Sequence, residues 1–143
     1  MMEIREATTR EEIEFCGTAI LEFRQNLNAG TYVDQILNMM KSGFRLIYIA
    51  NEDNSSAAGI CGFRIFEMLR TETIIYIDDL FTAPDSRGKG CAGLLLDRVD
   101  EIAKENNIKT VHLDSGFTLH PAHRLYLSKK YILACHHFAK AVS

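Results

Sequence analysis

"TAPDSRGKGCAGLLL", residues 82–96, decides how this chain is read. Thr82 to Ser86 are turn formers, Gly88, Gly90 and Gly93 follow, and a leucine run begins at Leu94. Two phosphate-binding patterns overlap here. Gly88, Gly90 and Gly93 satisfy G-x-G-x-x-G, the dinucleotide fingerprint, whereas Arg87, Gly90 and Ala92 satisfy R-x-x-G-x-G/A. In either case a helix N-terminus offers unpaired N–H groups and the positive end of its macrodipole, and glycines let a diphosphate approach those amides. Arg87 and Lys89 add positive charge at the rim. A flexible helix-capping loop explains Gly88 or Gly90 singly, but not three glycines with Arg and Lys between them.

Working outward, the β-branched run 72–81 predicts a strand before the loop. The stripe Ala92, Leu95, Leu96, Val99, Ile102 and Ala103 predicts an amphipathic helix after it, closed by Asn106-Asn107. A further strand over 108–114 completes a strand-helix-strand unit, whose crossover should be right-handed and parallel. Asp114 lies about where a dinucleotide-binding fold places its ribose-binding acid. Against that reading, Thr82 to Arg87 intervene between strand and first glycine, and Asp78-Asp79 would repel a pyrophosphate. The 29 residues after Asp114 are also too few for the rest of a doubly wound sheet. No Walker loop can be written, because Gly90 follows Lys89.

Upstream, residues 2–7 read as a strand, and Thr9-Arg10-Glu11-Glu12 is a capping box that opens a helix running to about Gln25. Tyr32, Ile36, Leu37 and Met40 mark a second amphipathic helix. Strands over 45–50 and 58–69 flank a polar turn at 51–56, an antiparallel hairpin. Downstream, 121–130 reads as a short helix and 131–140 as a last strand.

The 143 residues suit one domain, 1–143. With 16 basic against 19 acidic residues and a formal charge of −3, nothing global points to nucleic acid or a polyanionic membrane. Cys16, Cys61, Cys91 and Cys135 form no C-x-x-C pair and sit among apolar neighbours, which suits reduced thiols in a cytoplasmic protein. No targeting segment and no membrane span are expected.

With these residues in view, the chain resembles the GNAT superfamily of acetyl-CoA-dependent N-acetyltransferases. The resemblance rests on "YIDDLFTAPDSRGKGCAGLLL", "VHLDSG" and "AHRLYLSKKY", and covers about Gly62 to Phe138. It implies that Arg87, Gly88, Lys89, Gly90, Cys91 and Ala92 hold the pyrophosphate of coenzyme A. It further implies that Leu80, Phe81 and Thr82 pair their backbone with the pantetheine arm. The fold expected is α/β (α+β): a central mixed sheet of about six to seven strands, antiparallel early, with helices on both faces.

Acetyl transfer to an amine needs a neutral amine, a stabilised oxyanion and a proton for the departing thiolate. Alkyl ammonium ions, with a pKa of about 10.4, are protonated at neutral pH, so a carboxylate or water relay must take the proton. Asp78, Asp79 and Asp114 are the candidates. Adjacent strand residues point to opposite faces, so at most one of Asp78 and Asp79 should face a given pocket. By resemblance Asp78 and Asp114 are preferred as base, with Asp79 and His120 left to contact the acceptor. Each aspartate can equally be solvated or a helix cap.

Tyr126, in Ala122-His123-Arg124-Leu125-Tyr126, matches the segment whose tyrosine protonates the thiolate in the family. The other reading is a packed aromatic with its hydroxyl at the surface. Cys91 at a helix start raises a covalent acyl-enzyme, yet a small residue is needed there for packing and the family transfers directly. The histidines match no metal-ligand spacing, so no metal is expected. Lys130 replaces a usual glycine and Leu119 a frequent asparagine. The acceptor is a small-molecule or protein amine, and a homodimer is possible. The alternatives are a non-catalytic acyl-CoA-binding regulatory module and a nucleotide-binding protein.

Overall fold

A computed structural model describes residues 2–143. Packing divides the chain into two units, one ending at Leu113 and the other spanning Asp114–Ser143.

The first unit is built on a five-stranded sheet of order β1-β2-β3-β4-β5. Its strands are β1 (Ile4–Ala7), β2 (Phe44–Ala50), β3 (Ala57–Met68), β4 (Glu72–Thr82) and β5 (Val111–Leu113). Neighbours pair antiparallel except β4 and β5, which run parallel over Ile75–Ile77. The polar turn at 51–56 closes the β2–β3 hairpin, with Asn51 Oδ1 accepting the Ser55 N–H at 2.8 Å. A short amide side chain thus stands in for a backbone acceptor within the turn.

Helices α1 (Arg10–Phe15), α2 (Gly17–Phe23) and α3 (Tyr32–Met40) cover one face. Ile13, Ile20, Val33 and Ile36 pack there with Phe44, Leu46, Tyr48 and Ile60 of the sheet. The capping box forms as expected: Thr9 Oγ1 accepts the Glu12 N–H at 3.2 Å, and Glu12 Oε1 accepts the Thr9 N–H at 3.2 Å. The single helix expected to Gln25 is in fact two. It breaks at Cys16-Gly17, where the Tyr32 hydroxyl presses so close that no Cβ fits on Gly17.

Helix α4 (Cys91–Glu105) covers the other face with Leu95, Val99 and Ile102 fully buried. Each such side chain contributes roughly 1.5–3 kcal/mol of burial free energy. Close approach is possible because Gly59 of β3 lies beneath: a Cβ there would sit 3.3 Å from both Cys91 Cβ and Leu95 Cδ1. This contact fixes where the glycine loop ends.

The mixed sheet with helices on both faces is the architecture expected, with five strands rather than six or seven. In the second unit α5 (His120–Ser128) forms, but 131–143 carries no strand. Ile132, Leu133 and Phe138 are 81 %, 89 % and 90 % exposed. Strand propensity alone makes no strand; a segment needs a ladder partner and a face to bury. Helix α5 ends in a left-handed turn at Lys130 (φ 71°). There the Lys130 N–H donates to Leu127 O and the Tyr131 N–H to Tyr126 O, both at 3.0 Å. These two bonds make a Schellman motif with lysine where glycine is usual.

Candidate active site

The glycine loop leaves β4 through a 3-10 turn at Pro84–Ser86 and enters α4. Gly88 (φ 78°) and Gly90 (φ 84°) both adopt the left-handed conformation that costs L side chains roughly 1–2 kcal/mol. A Cβ on either would meet nothing within 4 Å, so it is backbone conformation, not crowding, that calls for glycine. Gly90 is the N-cap of α4, and no side chain caps it. The first helical bond runs from the Leu94 N–H to Gly90 O at 3.1 Å, leaving the amides of Cys91, Ala92 and Gly93 without intrahelical acceptors. Lys89 Nζ lies 3.5 Å from the exposed Glu52 carboxylate. An exposed pair of this kind contributes little and is readily exchanged for a stronger anion.

Next to the loop, β4 presents a free backbone edge. The Ala83 N–H donates to Ala58 O at 2.8 Å. By the alternation of an antiparallel ladder, Phe81 bonds to β3 while Leu80 and Thr82 turn their amides and carbonyls the other way. The Thr82 carbonyl accepts Arg87 Nε at 3.2 Å. Among the described residues, the ladder to β5 involves only Ile75–Ile77 of β4, so the edge beyond is open for pairing.

The two central aspartates do not behave as residues of a regular strand. Gly62 pairs with Asp79 and Phe63 with Ile77, so Asp78 is the extra residue of a β-bulge. Arg64 grips Asp78 with two bonds, Nε to Oδ2 at 2.9 Å and Nη2 to Oδ1 at 2.7 Å. Asp79 Oδ2 lies 3.0 Å from the point where a Gly62 Cβ would be. Gly62 and Arg64 share a face of β3, so both carboxylates point to the side of α1–α3. The expectation of opposite faces fails because the bulge resets the alternation.

Arg24, just past α2, ties this corner together. Its Nε donates to Asp79 Oδ1 at 2.7 Å and its Nη2 to the Asp78 carbonyl at 2.8 Å. The guanidinium lies 4.0 Å above the Phe23 ring, which stacks on Phe81 at 5.1 Å. Burial raises the Asp79 carboxyl above the ordinary carboxylate range; Arg24 pulls it back, and the neighbouring Asp78 charge raises it again. Asp79 and Arg24 edge a cavity of about 210 Å³ walled by Ile20, Ile36, Met39 and Phe44.

The remaining candidates lie in the second unit. Asp114 Oδ2 is 3.1 Å from His137 Nδ1. Tyr126, half-buried on α5, meets the Tyr131 ring edge-on at 5.9 Å. His120 opens α5, exposed, with its ring 5.9 Å from that of His123.

Residues 9–129 match the family described as "Acetyltransferase (GNAT) family". The chain belongs to the GNAT acetyltransferase family. A curated relative, the uncharacterized N-acetyltransferase YhdJ of Bacillus subtilis (strain 168), is 26 % identical over 129 residues, covering 90 % of each chain. Among solved structures, a probable acetyltransferase superposes with a TM-score of 0.84 at 14 % identity, over 99 % of both chains. A "predicted acetyltransferase with acetyl-CoA" from Clostridium acetobutylicum superposes with a TM-score of 0.75 at 20 % identity, over 99 % of this chain and 97 % of its own. At these identities the structural likeness is one of fold.

In this GNAT acetyltransferase Cys91 is buried, and burial raises its thiol pKa against the opposing pull of Lys89. That is the wrong direction for a nucleophile. Among the described residues no three His, Cys, Asp or Glu side chains converge to hold a metal, and no helix is long and apolar enough to cross a membrane. Arg24, Arg64, Phe44 and the bulge escaped the sequence reading. Arg24 and Asp79 are 55 residues apart, and no local pattern links them.

Proposed function

We propose that the protein transfers an acetyl group from acetyl-CoA to a primary amine. The observation that carries this reading is the α4 N-terminus: three amides without intrahelical acceptors, approached through two left-handed glycines, with no side-chain cap and no Cβ in the way. Such a cradle suits a diphosphate. Arg87, Gly88, Lys89, Gly90, Cys91 and Ala92 would hold it, and the open edge at Leu80 and Thr82 would pair with an extended amide-bearing arm, whereas Phe81, expected to share that role, turns its backbone to β3 instead. Acetyl-CoA, when bound, supplies the activated thioester.

The chain's own groups supply the rest. Asp79, whose carboxyl is raised by burial, is the better placed of the two bulge aspartates to hold the acceptor amine and receive its proton. Asp78, gripped by Arg64, keeps the bulge and its neighbour in position. The Leu80 N–H on the open edge is the oxyanion donor. Tyr126 remains the proton donor in this proposal, on the Ala122-to-Tyr126 resemblance, and Asp114 the second carboxylate.

Amine-dependent release of free thiol from acetyl-CoA tests the reading. Tyr126→Phe should lower kcat about 100-fold or more, the usual contribution of a positioned general acid, while acetyl-CoA affinity stays within twofold. Binding of acetyl-CoA without thiol release, across a broad amine panel, would favour a regulatory acyl-CoA-binding module instead.

A further inference from the structure

The cavity beside Asp79 narrows the choice of acceptor. At about 210 Å³ it is smaller than the roughly 300–1,000 Å³ of drug-sized ligand sites. Ile20, Ile36, Met39 and Phe44 make its walls, and Asn26 and Gln35, its uncharged polar lining, are exposed. The charged lining is one carboxylate and one guanidinium, already bonded to each other at 2.7 Å. An ammonium drawn to Asp79 therefore finds one carboxylate, already shared with Arg24, whose Oδ2 lies beside the bare backbone of Gly62.

Resting on the acetyltransferase reading above, we infer that the acceptor is a small monoamine whose body is apolar, seated against Ile20, Ile36, Met39 and Phe44 with its nitrogen at Asp79. A polyamine or amino sugar would bring further charges against these walls, where no carboxylate answers them. Burying an unpaired charge costs far more than the contact returns. An alkyl or aromatic body gains from every methylene it hides.

That gain sets the expected result. In a series from n-propylamine to n-hexylamine, kcat/KM should rise about fourfold per methylene until the cavity is full, since each buried CH₂ contributes about 0.8 kcal/mol. Spermidine should be turned over at least tenfold less efficiently than n-hexylamine. Met39→Glu, which adds a second acid to the wall, should reverse that preference while leaving acetyl-CoA affinity within twofold. A flat alkylamine series, or a preference for spermidine in the unmodified protein, overturns the inference and leaves amine acetylation standing. Acetyl-CoA binding with no amine acetylated overturns both.

Discussion

Replacing Gly62 by alanine sets a methyl group 2.5 Å from Phe44 Cζ and 2.9 Å from Phe44 Cε1, with Asp79 Oδ2 at 3.0 Å. Carbon atoms pack at about 3.5–4.0 Å, so the ring must retreat by about 1 Å. Phe44 is only 6 % exposed, and the room available to it is the cavity that it walls. Overpacking of this kind costs about 1–3 kcal/mol, and the lower chain entropy of alanine returns about 0.5–1 kcal/mol. The central values leave a net loss of about 1 kcal/mol, or about 3 °C in Tm for a chain of this size. Urea denaturation measures the stability, and steady-state kinetics with n-hexylamine and acetyl-CoA measures the cavity. The amine KM should rise about tenfold while acetyl-CoA affinity holds within twofold. An unchanged Tm would refute the crowding argument. Equal weakening toward both substrates would refute the separation of an amine cavity on one face from the glycine cradle.

Three other outcomes are expected. Lys130→Gly relieves a left-handed lysine (φ 71°) and should stabilise the end of α5 by about 0.5 kcal/mol, seen as slower hydrogen exchange at the Tyr131 amide; faster exchange there counts against the Schellman assignment. Glu12 is held below its ordinary pKa of 4.5 by the Thr8 and Thr9 donors, so its stabilisation is present above that pH and lost as pH falls through the lowered value. In Glu12→Gln the urea midpoint should therefore fall less steeply on acidification than in the parent, and parallel curves would contradict this. Asp79→Asn keeps the shape of the corner but removes the carboxylate, and should cut kcat/KM for amines about 100-fold without altering acetyl-CoA affinity; an unaffected rate would move proton acceptance elsewhere.

Much of this fold was written locally. The Thr9-to-Glu12 capping box, the polar turn at 51–56 and the stripe on α4 are signals spanning a few residues, and each element stands where its signal lies. The glycine loop was legible for the same reason: a left-handed N-cap at Gly90 with a second left-handed residue two positions earlier, at Gly88, favours glycine at both. What escaped depends on pairing across the sheet. The bulge at Asp78 is a property of β3 against β4, so no reading of β4 alone shows both aspartates on one face. The Arg24–Asp79 link joins a helix end to a strand far along the chain. The strand expected at 131–140 failed because its apolar residues have no ladder, which composition cannot reveal.

The central claim is that main-chain amides at the start of α4 hold the diphosphate of acetyl-CoA. A Cβ at residue 90 would meet nothing within 4 Å, so Gly90→Ala introduces no clash and acts through the left-handed backbone that aims the cradle's amides, at a folding cost of about 1–2 kcal/mol. Isothermal titration of acetyl-CoA into the folded variant, checked by circular dichroism, should show affinity reduced at least tenfold. Affinity equal to that of the unaltered protein would contradict the claim.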